Sequence, residues 1–133
     1  MDCFYRVSTK ALLLDNQNDN FIVLKNSKGE YELPGGGIEY GESVSSSLER
    51  ELKEELAINI DLSHQHLTPL FFTSYPARSH NIYVAFVIYK IPLETTILGN
   101  KTFDFISFDI IRSGKEKDFV PYLWKLAHNQ KEI

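Results

Sequence analysis

The side chains best suited to chemistry gather between Leu33 and Ile58, where the chain reads LPGGGIEYGESVSSSLERELKEELAI. Pro34 and three glycines open this stretch, Glu39 and Glu42 follow, and Glu49, Arg50, Glu51, Glu54 and Glu55 close it. The local reading is a glycine loop feeding a helix. Ser43 can cap the first turn, and Val44, Leu48, Leu52 and Leu56 recur every four residues as an apolar stripe. At about 100° per residue, Glu51 and Glu55 share the flank of that stripe, Glu54 lies further round, and Arg50 adjoins Glu54. Carboxylates crowded beside a buried face repel one another unless some are protonated or a cation joins them. A hard divalent ion, magnesium or manganese in its place, suits such oxygen donors and bridges protein acids to substrate phosphates. Glycines allow backbone carbonyls or amides to come close to a metal or a phosphate. The competing reading is a solvated helix face laced by Glu49–Lys53 and Arg50–Glu54 pairs.

The spacing of the whole stretch weighs against the solvated face. Gly36, five residues, Glu42, seven residues, Arg50-Glu51-Leu52, one residue, Glu54-Glu55, one residue and Ala57-Ile58 resembles the signature box of the Nudix hydrolase (MutT-like) family. Ala57 is the departure, because the family usually has glycine there. It falls at the helix C-terminus, where glycine supplies a left-handed turn, so the exit from the helix is expected to be strained or differently shaped while no ligand is lost.

The resemblance implies hydrolysis of a diphosphate bond in a nucleoside diphosphate linked to another group, with water and Mg2+ (or Mn2+). It implies Glu51 and Glu55 as direct metal ligands, the Gly35 carbonyl as another, and Glu54 as a water-mediated ligand or the base, with Arg50 orienting Glu54. Glu42 is either a favourable charge at the helix N-terminus or a support behind the ligands. Glu39 is expected to be solvated. Many family members add an acid from a later loop; residues 98–101 offer none, so Glu94 or Asp104 would have to serve. Tyr75 and Pro76 are similar to residues that accompany ADP-ribose or diadenosine polyphosphate preference in some branches, and together they leave the substrate open. Arg78 and His80 are expected to meet the substrate, since phosphate calls for local positive charge in an acidic protein.

With 133 residues the chain is expected to form a single domain, 1–133, and its 43% hydrophobic content suffices for a core. A net charge of −4 argues against an extended nucleic-acid or anionic-membrane surface. Cys3, the single cysteine, cannot form an intrachain disulfide, no leader is readable, and the longest apolar run, Ile82 to Tyr89, is far short of the ~20 residues that span a bilayer. The expectation is a cytoplasmic protein whose partner is a small nucleotide; association into a homodimer stays open.

Strands are expected at Phe4 to Asp15, Phe21 to Lys25, Tyr31 to Leu33, Leu67 to Tyr75, Ile82 to Ile91 and Thr102 to Phe108. Helices are expected from Ser43 to Leu56, in a short turn capped by Asp109, and from Asp118 to Gln130 with Val120, Leu123, Trp124 and Ala127 inward. His64 and His66 read as solvated loop residues. Two helices on a mixed sheet make an α/β fold, an αβα sandwich, which is also the fold the Nudix resemblance implies. Three functions compete: a Mg-dependent nucleotide pyrophosphohydrolase, which the box favours; a catalytically silent Nudix domain that senses a nucleotide; and an interaction domain with a merely solvated acidic helix.

Overall fold

The structure, a computed structural model, describes residues 3–15, 19–77, 81–94, 98 and 101–130. The strands are β1 (Phe4–Asp15), β2 (Asn20–Lys25), β3 (Tyr31–Glu32), β4 (Gly35–Gly37), β5 (Pro69–Pro76), β6 (Ile82–Leu93) and β7 (Asp104–Ile106). The helices are α1 (Val44–Leu56), α2 (Phe108–Ser113) and α3 (Pro121–Asn129), with a 3-10 turn at Glu116–Asp118. The strands follow the order β3-β2-β1-β6-β5, with β4 paired to β1 and β7 to β2. This is the expected α/β class, a mixed sheet with helices. By its contacts the chain divides into two compact units, Met1–Ala11 with Gly35–Lys90 and Leu12–Pro34 with Ile91–Ile133.

In the first unit the glycine run is a strand, where the sequence suggested a loop. Ser8, Thr9 and Lys10 of β1 pair antiparallel with Gly37, Gly36 and Gly35. Glycine has little strand preference of its own, and here the tertiary pairing overrides it. Gly35 has φ +131°, and a Cβ on it would lie 2.1 Å from the Thr9 carbonyl oxygen, so the glycine is demanded by close backbone approach.

Helix α1 starts at a reciprocal cap. The Ser43 hydroxyl accepts from the Ser46 N–H at 3.1 Å, and the Ser46 hydroxyl accepts from the Ser43 N–H at 2.9 Å. Leu48, Leu52 and Leu56 are buried, as the four-residue spacing predicts. The fully buried Ser47 places its hydroxyl 3.3 Å from that of Thr9, tying the helix to β1. Glu49 accepts the Leu62 N–H at 2.6 Å, anchoring the chain beyond the helix. Strands β5 and β6 pair antiparallel from Pro69 opposite Tyr89 to Pro76 opposite Tyr83.

In the second unit Leu12, Leu13 and Leu14 are all buried, which marks this part of β1 as covered on both faces. Strand β2 pairs with β1, β3 and β7. The Tyr122 hydroxyl accepts the Leu33 N–H at 2.9 Å, so α3 fixes the segment that follows β3.

Two helix starts differ from expectation. Ser107, instead of Asp109, caps α2 by accepting from the Ile110 N–H, and Phe108 therefore belongs to the helix and β7 stops at Ile106. Asp109, inside the first turn, pairs with Arg112. Helix α3 begins at Pro121, after the 3-10 turn and a bridge between Phe119 and Tyr31. Proline lacks an N–H and suits the first helical position, which sets the start there and leaves Asp118 outside. His64 and His66 are exposed, as expected.

Ala57 adopts the left-handed conformation that the glycine of the box would supply, with φ 54° and ψ 34°. The exit keeps its shape and the alanine bears the steric cost. Ala57→Gly should therefore stabilise the fold by about 0.5–1 kcal/mol, the left-handed penalty less the entropy of glycine in the unfolded chain. Urea unfolding of the two proteins measures it, and a lower midpoint for the glycine variant would show that Ala57 is unstrained.

Candidate functional site

The acidic helix is organised by Arg50. Its Nε and Nη2 meet Glu42 Oε2 and Oε1 at 2.7 and 3.0 Å, a two-pronged contact. Nη2 also donates to the Gly37 carbonyl at 3.0 Å, and Nη1 donates to Glu51 Oε1 at 2.9 Å and Glu54 Oε2 at 3.3 Å. These bonds use every N–H that a guanidinium has. Glu39 stands further off, 3.9 Å from Nη1. The expected Arg50–Glu54 contact is present, but Glu42 is the principal partner. Glu42 does not cap the helix, and its Oε1 also accepts the Glu39 N–H at 2.8 Å. The bond from Arg50, followed by that from Glu39, holds the Glu42 carboxyl below its ordinary range, and Glu42 in turn raises the Arg50 guanidinium further.

The strand β4 supplies the opposite wall. The Gly35 N–H donates to Glu55 Oε1 at 2.7 Å, while the Gly35 carbonyl accepts from Lys10 Nζ at 3.0 Å. Glu51 packs so tightly on Gly36 that a Cβ there would lie 2.5 Å from its Oε1. Glu51, Glu54, Glu55 and the Gly35 carbonyl are all hard oxygen donors, and the bare Cα of Gly36 gives the Glu51 carboxylate its place, so the set fits a hard divalent ion in kind. Among the described residues, no three acidic, histidine or cysteine side chains are already gathered as a metal cage.

A groove of about 900 Å³ runs past this wall, lined among others by Tyr5, Arg6, Val7, Glu39, Tyr40 and Glu42. Glu42 thus belongs both to the groove and to the Arg50 network. Tyr5 stacks on Tyr83 with ring centroids 5.5 Å apart. Tyr5, Arg6 and Tyr40 belong to no motif or period that marks them in the sequence. The sequence shows only an aromatic residue beside Arg6 at the start of the first strand and another between Glu39 and Gly41.

Of the other sequence-derived candidates, Tyr75 sits in β5 opposite Val84, which lines the groove, with its ring edge-on to Phe86 at 6.4 Å. Arg78 and His80 lie outside the described residues. Glu94 and Asp104 are exposed and belong to the second unit. Gly36 occupies β4, Ile58 is buried, and Ala57 forms the helix exit.

A NUDIX domain family model matches residues 4–123, and the chain belongs to the Nudix family. A stretch of 87 residues is 32% identical to the nucleoside triphosphatase NudI of Salmonella agona (strain SL483), covering 55% of this chain and 60% of that protein. The chain thus spans about three fifths of that relative's length. The MutT protein from Methanosarcina mazei Go1 superposes with a TM-score of 0.69 at 17% identity, covering 97% of this chain and 94% of the other. The MutT NUDIX hydrolase from Burkholderia pseudomallei gives 0.67 at 16% identity, with 93% and 96% covered. At these identities the two structures speak for the fold. Among the described residues, no helix is long and apolar enough to cross a membrane.

The Glu42–Arg50 pair carries a pH signature. Glu42 titrates below its unfolded value of 4.5 in the folded protein, so its contribution to stability is complete above that value and is lost as the pH falls through the folded one. Glu42→Gln should be less stable than the parent at neutral pH, and the gap should close in acid. Urea unfolding at a series of pH values between about 3 and 7 reads this directly; a gap independent of pH would refute the pairing as the cause.

Proposed function

We propose that the chain is a Mg-dependent nucleotide pyrophosphohydrolase, acting as a single Nudix domain over residues 1–133 and cleaving a diphosphate bond in a nucleoside diphosphate derivative or triphosphate. The observation that carries this reading is that Glu51, held by Arg50, and Glu55 lie against Gly36 and Gly35 of β4, whose Gly37 lines a groove of about 900 Å³. The name of the NudI relative, a nucleoside triphosphatase, supports the substrate class.

In this reading Glu51, Glu55 and the Gly35 carbonyl would hold the divalent ion, with Glu54 in support. The ion neutralises the diphosphate and the leaving phosphate when bound. Glu54, with 59% of its side chain exposed against 14% for Glu51, is the glutamate that an incoming water reaches, and it takes the proton as water attacks phosphorus. Arg50 keeps Glu54 from swinging away and tempers the repulsion among the acids. Tyr5 and Tyr40 offer aromatic faces to the base, and Arg6 offers charge to the phosphates. Tyr75 of β5 adds to this substrate contact, and the sequence-based roles of Arg78 and His80 in meeting the phosphates are part of the same proposal. The protein works in the cytoplasm on small nucleotides, as a monomer or homodimer.

The decisive experiment is a panel of dNTPs, ADP-ribose, dinucleoside polyphosphates, NADH and nucleotide sugars assayed with and without Mg2+. Metal-dependent hydrolysis of at least one class is expected, and none with any class would overturn the reading in favour of a silent sensor.

Glu55→Gln tests the ligand set. Glutamine keeps an oxygen for the Gly35 N–H and similar helix preference, so the melting temperature without metal should hold or rise as repulsion eases. The kcat at saturating Mg2+ should fall on the order of 100-fold or more, since both charge neutralisation and water activation depend on the ion. Full turnover with an unchanged metal-induced shift in melting temperature would remove Glu55 from the set.

A further inference from the structure

Lys10 is a lysine where a strand running into the core would ordinarily carry an apolar residue. It is only 7% exposed and is followed by Ala11, Leu12, Leu13 and Leu14, all buried. An ammonium in such surroundings is costly unless hydrogen-bonded or paired. Its register explains its aim: Lys10 lies opposite Gly35, which has no side chain, so the lysine folds over the glycine backbone and Nζ reaches the Gly35 carbonyl at 3.0 Å. The N–H of the same glycine is taken by Glu55, and Glu51 presses on the next residue. A positive side chain and two carboxylates thus surround one glycine pair.

We propose that Lys10 is the resident cation of the acidic site: it covers the Gly35 carbonyl while no divalent ion is bound and must leave that oxygen for the ion to load. This rests on the reading that the Gly35 carbonyl is a metal ligand. An ammonium 3.0 Å from an oxygen and a dication bonded to that oxygen repel each other strongly in a partly buried site. Occupancy by one disfavours the other. The lysine accordingly keeps the metal-free carboxylates from repelling the strand away, and it weakens metal binding by the cost of breaking its own charge-assisted bond.

The test compares the full chain with Lys10→Met, which keeps length and can be buried but leaves the carbonyl to the ion. Free Mn2+ is followed by electron paramagnetic resonance during titration. Lys10→Met should bind Mn2+ roughly tenfold tighter than the parent, the expected effect of removing one charged hydrogen bond from the competition. Equal or weaker binding by the variant, with the parent binding normally, overturns the role of Lys10 and leaves the metal site standing. No binding by either protein at millimolar Mn2+ removes the metal site and the inference with it. Should Lys10→Met fail to fold, the parent labelled with 13C at the lysine ε carbons gives the answer. The Lys10 signal, assigned through Lys10→Arg, should move with the Mg2+ binding curve, and a signal fixed through saturation overturns the proposal.

Discussion

The acidic site depends on how closely the Gly35-Gly36 backbone lies against its neighbours. On one side a Cβ at Gly35 would strike the Thr9 carbonyl; on the other, a Cβ at Gly36 would strike the Glu51 carboxylate. Both approaches are made by residues with no side chain, and they bring strand β1 and helix α1 onto a single ribbon of peptide. The ribbon then has its polar groups spoken for, with the Gly35 N–H on Glu55, its carbonyl on Lys10 and the Gly37 carbonyl on Arg50. The helix is held in its turn by Ser47 against Thr9. Position along the chain is therefore converted into position of carboxylates with little room for adjustment.

Arg50 makes the glutamates unequal. In the sequence Glu42, Glu51 and Glu54 are told apart only by their spacing and by the family resemblance. In the structure the guanidinium grips Glu42 with two nitrogens and Glu51 with a third, and their side chains are 16% and 14% exposed, while Glu54 receives one longer bond and stays largely in water. Shielded and exposed carboxylates serve different ends: a ligand gains from being held, and a group that exchanges protons with water gains from access. With its donors all engaged, Arg50 has none left for substrate phosphate, so the charge that meets the diphosphate must come from elsewhere.

Helix α1 was legible in the sequence because its signals are local. A four-residue apolar period, a serine cap and the box spacing all act within a few turns, and each appears where expected. The strand β4 was hidden, since three glycines in a row say loop to any propensity argument, and the pairing with Ser8, Thr9 and Lys10 is supplied from another part of the chain. Lys10 itself gave no local sign, for its partner is 25 residues away. The start of α2 lies two residues ahead of the expected one because Ser107 and Asp109 are both good caps, and it is Ser107 that takes the Ile110 N–H. The groove residues Tyr5, Arg6 and Tyr40 come together from two separate segments, which no periodicity could announce.

The bond between Leu33 and Tyr122 has a consequence for the birth of the protein. It joins residues 89 apart, whereas Lys10, Gly35 and Glu55 are linked across much shorter spans. A chain leaving the ribosome has every acidic residue of α1 in hand well before Tyr122 emerges. Until that hydroxyl arrives, the Leu33 N–H, two residues ahead of Gly35, has yet to gain its final partner, and closing so long a loop is slow. The segment that ends at Leu33 is therefore completed by a hydroxyl made long after it, and the final shape of that segment waits on the helix that carries Tyr122.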